Sequence, residues 1–412
     1  MSRNLLKITG PGIIVAATGL GAGDIVTASS AGAQFGTVLL WAVVFGGSLK
    51  FVLTDGIGRW QLQTNTTLLE GWIEHLPKVF SWYFFVYMIL WTFIVAAAMM
   101  SACGLAAYAF FPGVSVAWWG VIHALAALVI VWFGVYKALE AAMKFFIGLM
   151  FVTVLYCAAR VLPDFASIAS GMFIPRVPEN GMAFVLGVIG GVGGSITILS
   201  YGYWMREAGW KGSAMIPTMR IDLAVAYGLT ALFGIAIIIV SAGVQPEVVS
   251  GNNMALAVAD QLVPVMGETG KWIFLFGFWG AVFSSMIGVW HGVPYLFANF
   301  FYSYLHKNNS EHTHVLESDT SISRTKAYRG YLIYLAILPM SLLMLERPVW
   351  VVLTYAITGA LFMPLLAALL LYMNSSKAWL SNNVNSWLAK SLLGVCLLVF
   401  GYLTILQIQD QF

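Results

Sequence analysis

Two glycine-rich runs, Gly19-Leu-Gly-Ala-Gly-Asp24 and Gly190-Gly-Val-Gly-Gly-Ser195, each interrupt a long apolar segment, about 170 residues apart in a chain of 412. Five of the eight residues from Gly187 to Gly194 are glycine, denser than helix packing requires. Inside a bilayer, non-helical backbone survives only where it is buried or lines a cavity. Paired breaks in the two halves of a chain therefore point to a transport-type binding site at the membrane midplane. The pair Gly46-Gly47, by contrast, needs no more than close packing between helices.

Composition supplies the membrane. Hydrophobic residues make up 60% of the chain and charged residues 9%, whereas a soluble domain carries about 25% charge. Crossing the hydrocarbon takes about 20 apolar residues. Eleven such windows can be read, at 9–36, 37–62, 80–111, 115–134, 136–162, 182–206, 217–243, 268–301, 325–345, 347–374 and 388–408. The expected fold is an all-α membrane protein of eleven transmembrane helices forming a single membrane domain over 1–412.

Apart from the last, the helices fall into two sets of five, 9–162 and 182–374, with 388–408 as an extra eleventh helix. The first helix of each set is the glycine-broken one, so helices 1 and 6 are discontinuous. An odd number of spans per set reverses the orientation of the second set. This is the inverted-repeat logic of many secondary transporters.

Lys and Arg are retained on the cytoplasmic side of short loops. An N-terminus inside places fifteen of them on that face and four, Arg160, Arg176, Lys271 and Arg347, on the other, with Lys50 left inside a span. The expectation is an integral protein of the plasma (inner) membrane, its N-terminus cytoplasmic and its C-terminus extracytoplasmic. The net charge of +3 is then a topological bias and calls for no nucleic-acid partner. The first apolar run continues past the length of a signal peptide and lacks a cleavage site, so it stays as helix 1.

Several familiar patterns are set aside. Gly19-x-Gly-x-Gly follows no strand pattern and has the wrong third spacing for a dinucleotide fingerprint. His306, His312 and His314 share a polar loop but have neither Cys partners nor a helical i, i+4 pair. Cys103, Cys157 and Cys396 are isolated in apolar segments and read as packing residues, with no disulfide expected. No cofactor is implied, and no cluster of nucleophile, base and partner suggests an enzyme.

Asp24 is the sharpest single residue. A carboxylate at that depth costs about 2.5–3.5 kcal/mol, so it should face a cavity and meet a cation. It could equally cap the second half-helix by accepting from backbone N–H groups. The candidate substrate-binding set is Gly21, Ala22, Gly23, Asp24, Gly190, Gly191, Gly193, Gly194, Ser195 and Thr197. Hydroxyl, carboxylate and exposed carbonyl oxygens suit hard cations such as Mg²⁺ or Na⁺. Asp24 is also the one candidate metal ligand. For proton or ion coupling the candidates are Asp24, His123 and His291, although each histidine also reads as a hydrogen-bonded packing residue. Lys50 and Asp55 are expected to snorkel near a helix end, Asp222 to form a surface ion pair with Arg220, and Glu140 with Lys144 to form an ordinary i, i+4 pair.

Gly10-Pro-Gly12, followed after 18 residues by Ala31-Gly-Ala-Gln-Phe-Gly36 and then Leu39-Leu-Trp41, resembles the first-helix region of the natural resistance-associated macrophage protein (Nramp) family of proton-coupled divalent-metal transporters. Gly187-Val-Ile-Gly190 is similar to the start of that family's sixth helix, and Pro364-Leu-Leu-Ala367 with Asn374 to its tenth. The resemblance implies eleven helices in a leucine-transporter-type fold. It also marks departures. The family's Asp-Pro-Gly-Asn falls on Gly21-Ala-Gly-Asp24, and its Met-Pro-His on Gly194-Ser195-Ile196. Its third-helix carboxylates find no counterpart between Phe80 and Phe111, while Arg329 loosely matches a ninth-helix arginine.

The expected function is secondary active transport of a small cationic solute by alternating access, with a divalent metal ion of the Mg²⁺ or Mn²⁺ type first and coupling to H⁺ or Na⁺ open. Competing readings are a carrier of an organic substrate such as an amino acid or amine, and a non-transporting membrane sensor. Oligomeric state is left open.

Overall fold

The structure, a computed structural model, describes residues 10–12, 21–134, 137–161, 163–191, 196–244, 252–305, 322–380 and 384–409. Among these residues the regular elements are all helical. Helices occupy every apolar window named above. They are α1 (Ala22–Phe35), α2 (Leu40–Thr64), α4 (Lys78–Phe110), α5 (Val116–Phe133), α6 (Lys137–Arg160), α8 (Met182–Gly191) with α9 (Tyr201–Glu207), α10 (Ile216–Ser241), α12 (Val263–Leu305), α13 (Lys326–Ile337), α14 (Pro348–Ala360) with α15 (Met363–Met373), and α17 (Trp387–Gln409). Among the described residues, seven helical stretches are long and apolar enough to cross a membrane. The chain is an integral membrane protein with multiple spanning helices.

Three connections expected as loops carry short helices, α3 (Leu68–His75), α7 (Phe165–Phe173) and α11 (Met254–Asp260). A further turn of helix, α16 (Lys377–Leu380), precedes α17. Local capping starts two of them. Thr67 Oγ1 accepts the Glu70 N–H at 3.2 Å while Glu70 Oε2 accepts the Thr67 N–H at 2.7 Å, a reciprocal capping box for α3. Asp164 accepts from both the backbone N–H and the hydroxyl of Ser167 at the start of α7, and these bonds hold its carboxyl below the usual range. Helices this short cannot fill a window of about 20 apolar residues, so they escape a reading for spans. In α12 the left-handed Gly267 (φ 66°) breaks the first turn, so the long apolar helix effectively begins after it.

Helix faces follow membrane rather than water logic. Along α5 the large side chains Trp118, Ile122, Leu125, Val129 and Phe133 are exposed, whereas Gly120, Ala124 and Ala127 are buried. Lipid solvates the first group, and small residues on the second face let backbones approach. The approach is close. A Cβ on Gly120 would sit 2.8 Å from the Met100 carbonyl oxygen, and one on Gly104 would sit 2.2 Å from that of Val116.

The helix that carries the first break lies in the interior. The α1 residues Ile25, Val26, Ala28 and Ala31 are fully buried or nearly so. Gly32 fits against the α10 backbone, with a Cβ there only 2.5 Å from the Ile238 oxygen. α1 also packs on α8 and α14, which brings the two interrupted helices side by side.

Candidate functional site

The helix ends that fall within the two glycine-rich runs meet. α1 starts at Ala22 directly after the buried Gly21, with no side chain capping it, and Asp24 lies in its first turn. On the other side α8 ends at Gly191, and the chain resumes as a 3-10 turn at Ile196–Ser200 before α9. A Cβ on Gly23 would fall 3.2 Å from the Gly191 Cα, and one on Gly191 would fall 2.8 Å from Thr27 Oγ1 and 3.0 Å from the Gly23 oxygen. Gly190 is tighter still, at 2.0 Å from the Ala356 carbonyl oxygen of α14. These glycines therefore serve close packing between the helix ends. The Tyr355 ring lies 3.4 Å from the Gly23 Cβ position and 6.1 Å from the Trp91 ring centroid, closing another side.

Asp24 is 1% exposed. As a first-turn acid it lies at the positive end of the α1 dipole. The expected cation is present, and it belongs to the chain. Lys50, from the middle of α2, is 0% exposed and donates from Nζ at 2.7 Å to the carbonyl oxygen of Gly190, next to the Gly191 backbone on which Gly23 packs, so its charge acts on Asp24. The expectation that Lys50 snorkels to a helix end is thus overturned. At 1.5 Å per residue it stands about 15 Å or more from either end of α2, too deep for its stem to reach water. One turn further along, the Thr54 hydroxyl bonds to the Lys50 carbonyl at 2.8 Å and meets the Tyr227 hydroxyl of α10 at 2.7 Å.

Asp222 and Arg220 are not an ion pair. Asp222, 1% exposed, accepts the backbone N–H groups of Gly10 at 3.2 Å and Gly12 at 2.6 Å and the Tyr201 hydroxyl at 3.0 Å. Arg220 instead reaches Asp55 at 2.8 Å, and Asp55 also binds Arg59 at 2.8 Å. Arg59 continues to Asn385 Oδ1 at 2.7 Å. Asp55 therefore does not snorkel but anchors a two-arginine cluster at the end of α2. Glu70 in turn holds Arg206 at 3.0 Å and accepts from Asn299 at 3.4 Å.

Neither coupling histidine joins Asp24. His123 Nε2 accepts the Trp279 indole N–H at 2.9 Å, and because indole only donates, Nδ1–H is the nitrogen that donates to the Trp119 carbonyl at 2.7 Å. The ring is a neutral tautomer with both nitrogens engaged, and Phe283 packs edge-on against it. The His291 side chain is exposed on α12. Thr197 lies partly exposed in the 3-10 turn, and Ala22 begins α1. Gly193, Gly194 and Ser195, together with His306, His312 and His314, lie outside the described residues, as do the side chains of Glu140 and Lys144. Among the described residues no three His, Cys, Asp or Glu side chains gather into a metal-binding group. A cavity between α4, α5 and the start of α14, lined by Ser101, Ser115, Asn252, Glu346 and Arg347, does not include Asp24 or Lys50 in its walls.

What sequence reasoning missed is Lys50 and Asp222, both of which bond to backbone. The signal for Lys50 was its depth in an uninterrupted apolar helix, a position that by itself makes an ionisable group a functional candidate.

The chain is similar to known proteins over most of its length. A divalent metal cation transporter MntH of Deinococcus radiodurans is 23% identical over 286 residues, covering 66% of this chain and 64% of that protein. A protein of the same description from Yersinia pestis is 26% identical over 191 residues, covering 45% of this chain and 46% of its own. The chain thus aligns with less than two thirds of the first relative's length and less than half of the second's. Among solved structures, a variant of the manganese transporter of Eremococcus coleocola superposes with a TM-score of 0.73 at 18% identity, covering 99% of this chain and 87% of that one. MhsT in complex with L-phenylalanine gives 0.58 at 16% identity, over 97% and 98%. These likenesses carry the fold, an all-α membrane architecture with interrupted helices. The model of the family described as natural resistance-associated macrophage protein-like matches residues 12–410, and the chain belongs to that family.

Proposed function

We propose that this chain is a secondary transporter that moves a divalent metal cation of the Mn²⁺ or Mg²⁺ type across the membrane by alternating access. The observation that carries the reading is Asp24, a buried carboxylate in the first turn of α1, next to Gly23, which packs on Gly191 at the end of α8. Family membership and the metal-transporter relatives support it. Eleven spans in two oppositely oriented sets of five, with the N-terminus cytoplasmic and the C-terminus outside, are part of the same reading. The cytoplasmic face would then carry the Asp55 and Glu70 clusters.

With Gly21 in place of the family's first-helix Asp and no sulfur at the second break, the donors are carboxylate and carbonyl oxygens. Such a set favours hard cations and leaves room for retained water. Coupling to H⁺ or Na⁺ remains part of what is to be measured. The test is uptake of Mn²⁺ and Mg²⁺ into proteoliposomes, with Asp24→Asn as the key variant. Uptake of either ion that is lost in a folded Asp24→Asn protein supports the reading. Transport of neither ion, with thermal stabilisation by amino acids instead, overturns it.

A further inference from the structure

A carrier that binds a cation through one buried carboxylate faces a difficulty once the cargo has left. Asp24 is shut off from water, and an uncompensated carboxylate at that depth opposes the return of the empty protein through its closed state. Gly23 packs against Gly191 and Gly190 against Ala356, so the first turn of α1 and the last turn of α8 stand in direct contact beside Asp24.

The structure shows what stands there instead. The Lys50 ammonium, fully buried, is bonded to the Gly190 carbonyl at the end of α8, where Gly191 packs on Gly23, the residue before Asp24, so its charge acts on Asp24. It therefore bridges the same two elements that a metal held by Asp24 and the break carbonyls would bridge. α2 presents it from outside both interrupted helices, and the Thr54–Tyr227 bond ties α2 to α10 one turn away. Its anchor is thus separate from the helix that carries Asp24. A cation on a tether can leave the junction when cargo enters and come back when cargo departs.

We propose that Lys50 is the tethered counter-ion of the empty carrier. Its ammonium and the divalent cargo occupy the junction of the two breaks alternately, and Lys50 neutralises Asp24 during the return step, so that return requires no co-transported ion. This assignment rests on the metal-transport reading of the same site. It makes Lys50 a positioning residue for the transport cycle rather than a ligand of the cargo.

The two halves of the cycle can be measured separately. In proteoliposomes, net uptake of Mn²⁺ needs the empty carrier to return, whereas exchange of radioactive Mn²⁺ against Mn²⁺ on the other side cycles only the loaded carrier. Lys50→Met should lower the ratio of net uptake to exchange by about 100-fold, the population cost of leaving the carboxylate uncompensated, because any change in Mn²⁺ affinity from removing the competing ammonium enters both rates. Lys50→Arg, which keeps the cation, should recover most of the net uptake. Net uptake and exchange falling together in a monodisperse Lys50→Met protein, or neither falling, overturns the proposal. A second measurement needs no variant. Wild-type protein should show net Mn²⁺ uptake in Na⁺-free buffer at equal pH on both faces, and an absolute requirement for Na⁺ or for a pH gradient overturns the proposal whatever the variants do. Failure of the wild type to carry out either uptake or exchange of Mn²⁺ would instead remove the metal reading itself, and this assignment with it.

Discussion

The Asp222 carboxylate, in the second turn of α10, accepts the backbone N–H of Gly12 at 2.6 Å across 210 residues of sequence. Its other oxygen takes the Gly10 N–H at 3.2 Å. Orphan N–H groups at a helix start are ordinarily satisfied by a nearby cap. Here the acceptor comes from the second half of the chain, and it ties the segment before the first break to the helix after the second. Asp222→Ala should therefore lower stability by about 1.5–3 kcal/mol, the range for a charged hydrogen bond. Asp222→Asn, which keeps one acceptor oxygen, should cost less. Thermal melts in detergent give both values, and an unchanged Asp222→Ala melt would show that the Gly10–Gly12 segment is held by something else.

Gly12 itself is constrained from the same side, because a Cβ there would fall 2.6 Å from the Asp222 carboxyl carbon. The glycines at the break junction grade in the same way. Gly190→Ala places its methyl 2.0 Å from the Ala356 carbonyl oxygen, a rigid backbone neighbour, whereas Gly23→Ala needs a shift of only a few tenths of an ångström from Gly191. Overpacking of this kind costs about 1–3 kcal/mol and more where backbone must move. Gly190→Ala should then be clearly less stable than Gly23→Ala in detergent melts. Equal melting temperatures would mean that α8 and α14 can separate without penalty.

Much of the fold is legible in the chain because its signals are local. Gly21 stands directly before α1 and Gly191 is the last residue of α8, so the described helix ends fall within the two glycine-rich runs, and the apolar windows lie where helices form. The polar contacts are legible only in part. Arg220 and Asp222 look paired in sequence but stand two residues apart on a helix, so they point to different sides. Each finds its partner elsewhere, Arg220 at Asp55 and Asp222 at Gly10 and Gly12. Lys50 escaped for a related reason, since its hydrogen-bond acceptor is a main-chain carbonyl 140 residues away and no side-chain pattern announces a backbone partner.

His123 offers a test of whether a buried histidine is a proton carrier or a strut. Both ring nitrogens are engaged, one accepting from a donor-only indole, so taking up a proton would break the bond to Trp279. His123→Phe should leave the Trp279 N–H without its acceptor and cost about 1–3 kcal/mol, while the pH profile of uptake keeps its shape. Loss of pH dependence in that variant, with uptake otherwise intact, would return His123 to the coupling pathway.

The Asp55 cluster separates a buried from an exposed ion pair around one carboxylate. The Arg59 side chain is 5% exposed and that of Arg220 is 51% exposed, yet both lie 2.8 Å from Asp55. Removing the carboxylate strands a buried guanidinium, whose remaining bond to Asn385 is to a neutral amide oxygen. Asp55→Ala should therefore destabilise by about 3–5 kcal/mol, as breaking a buried pair does. Arg220→Ala should cost no more than about 1 kcal/mol, because water and salt already screen that arm. Raising the salt concentration should shift the melt of the wild type little and should erase most of the difference between wild type and Arg220→Ala, while the Asp55→Ala deficit persists. Comparable losses for the two variants would mean that Arg220, not Arg59, carries the cluster.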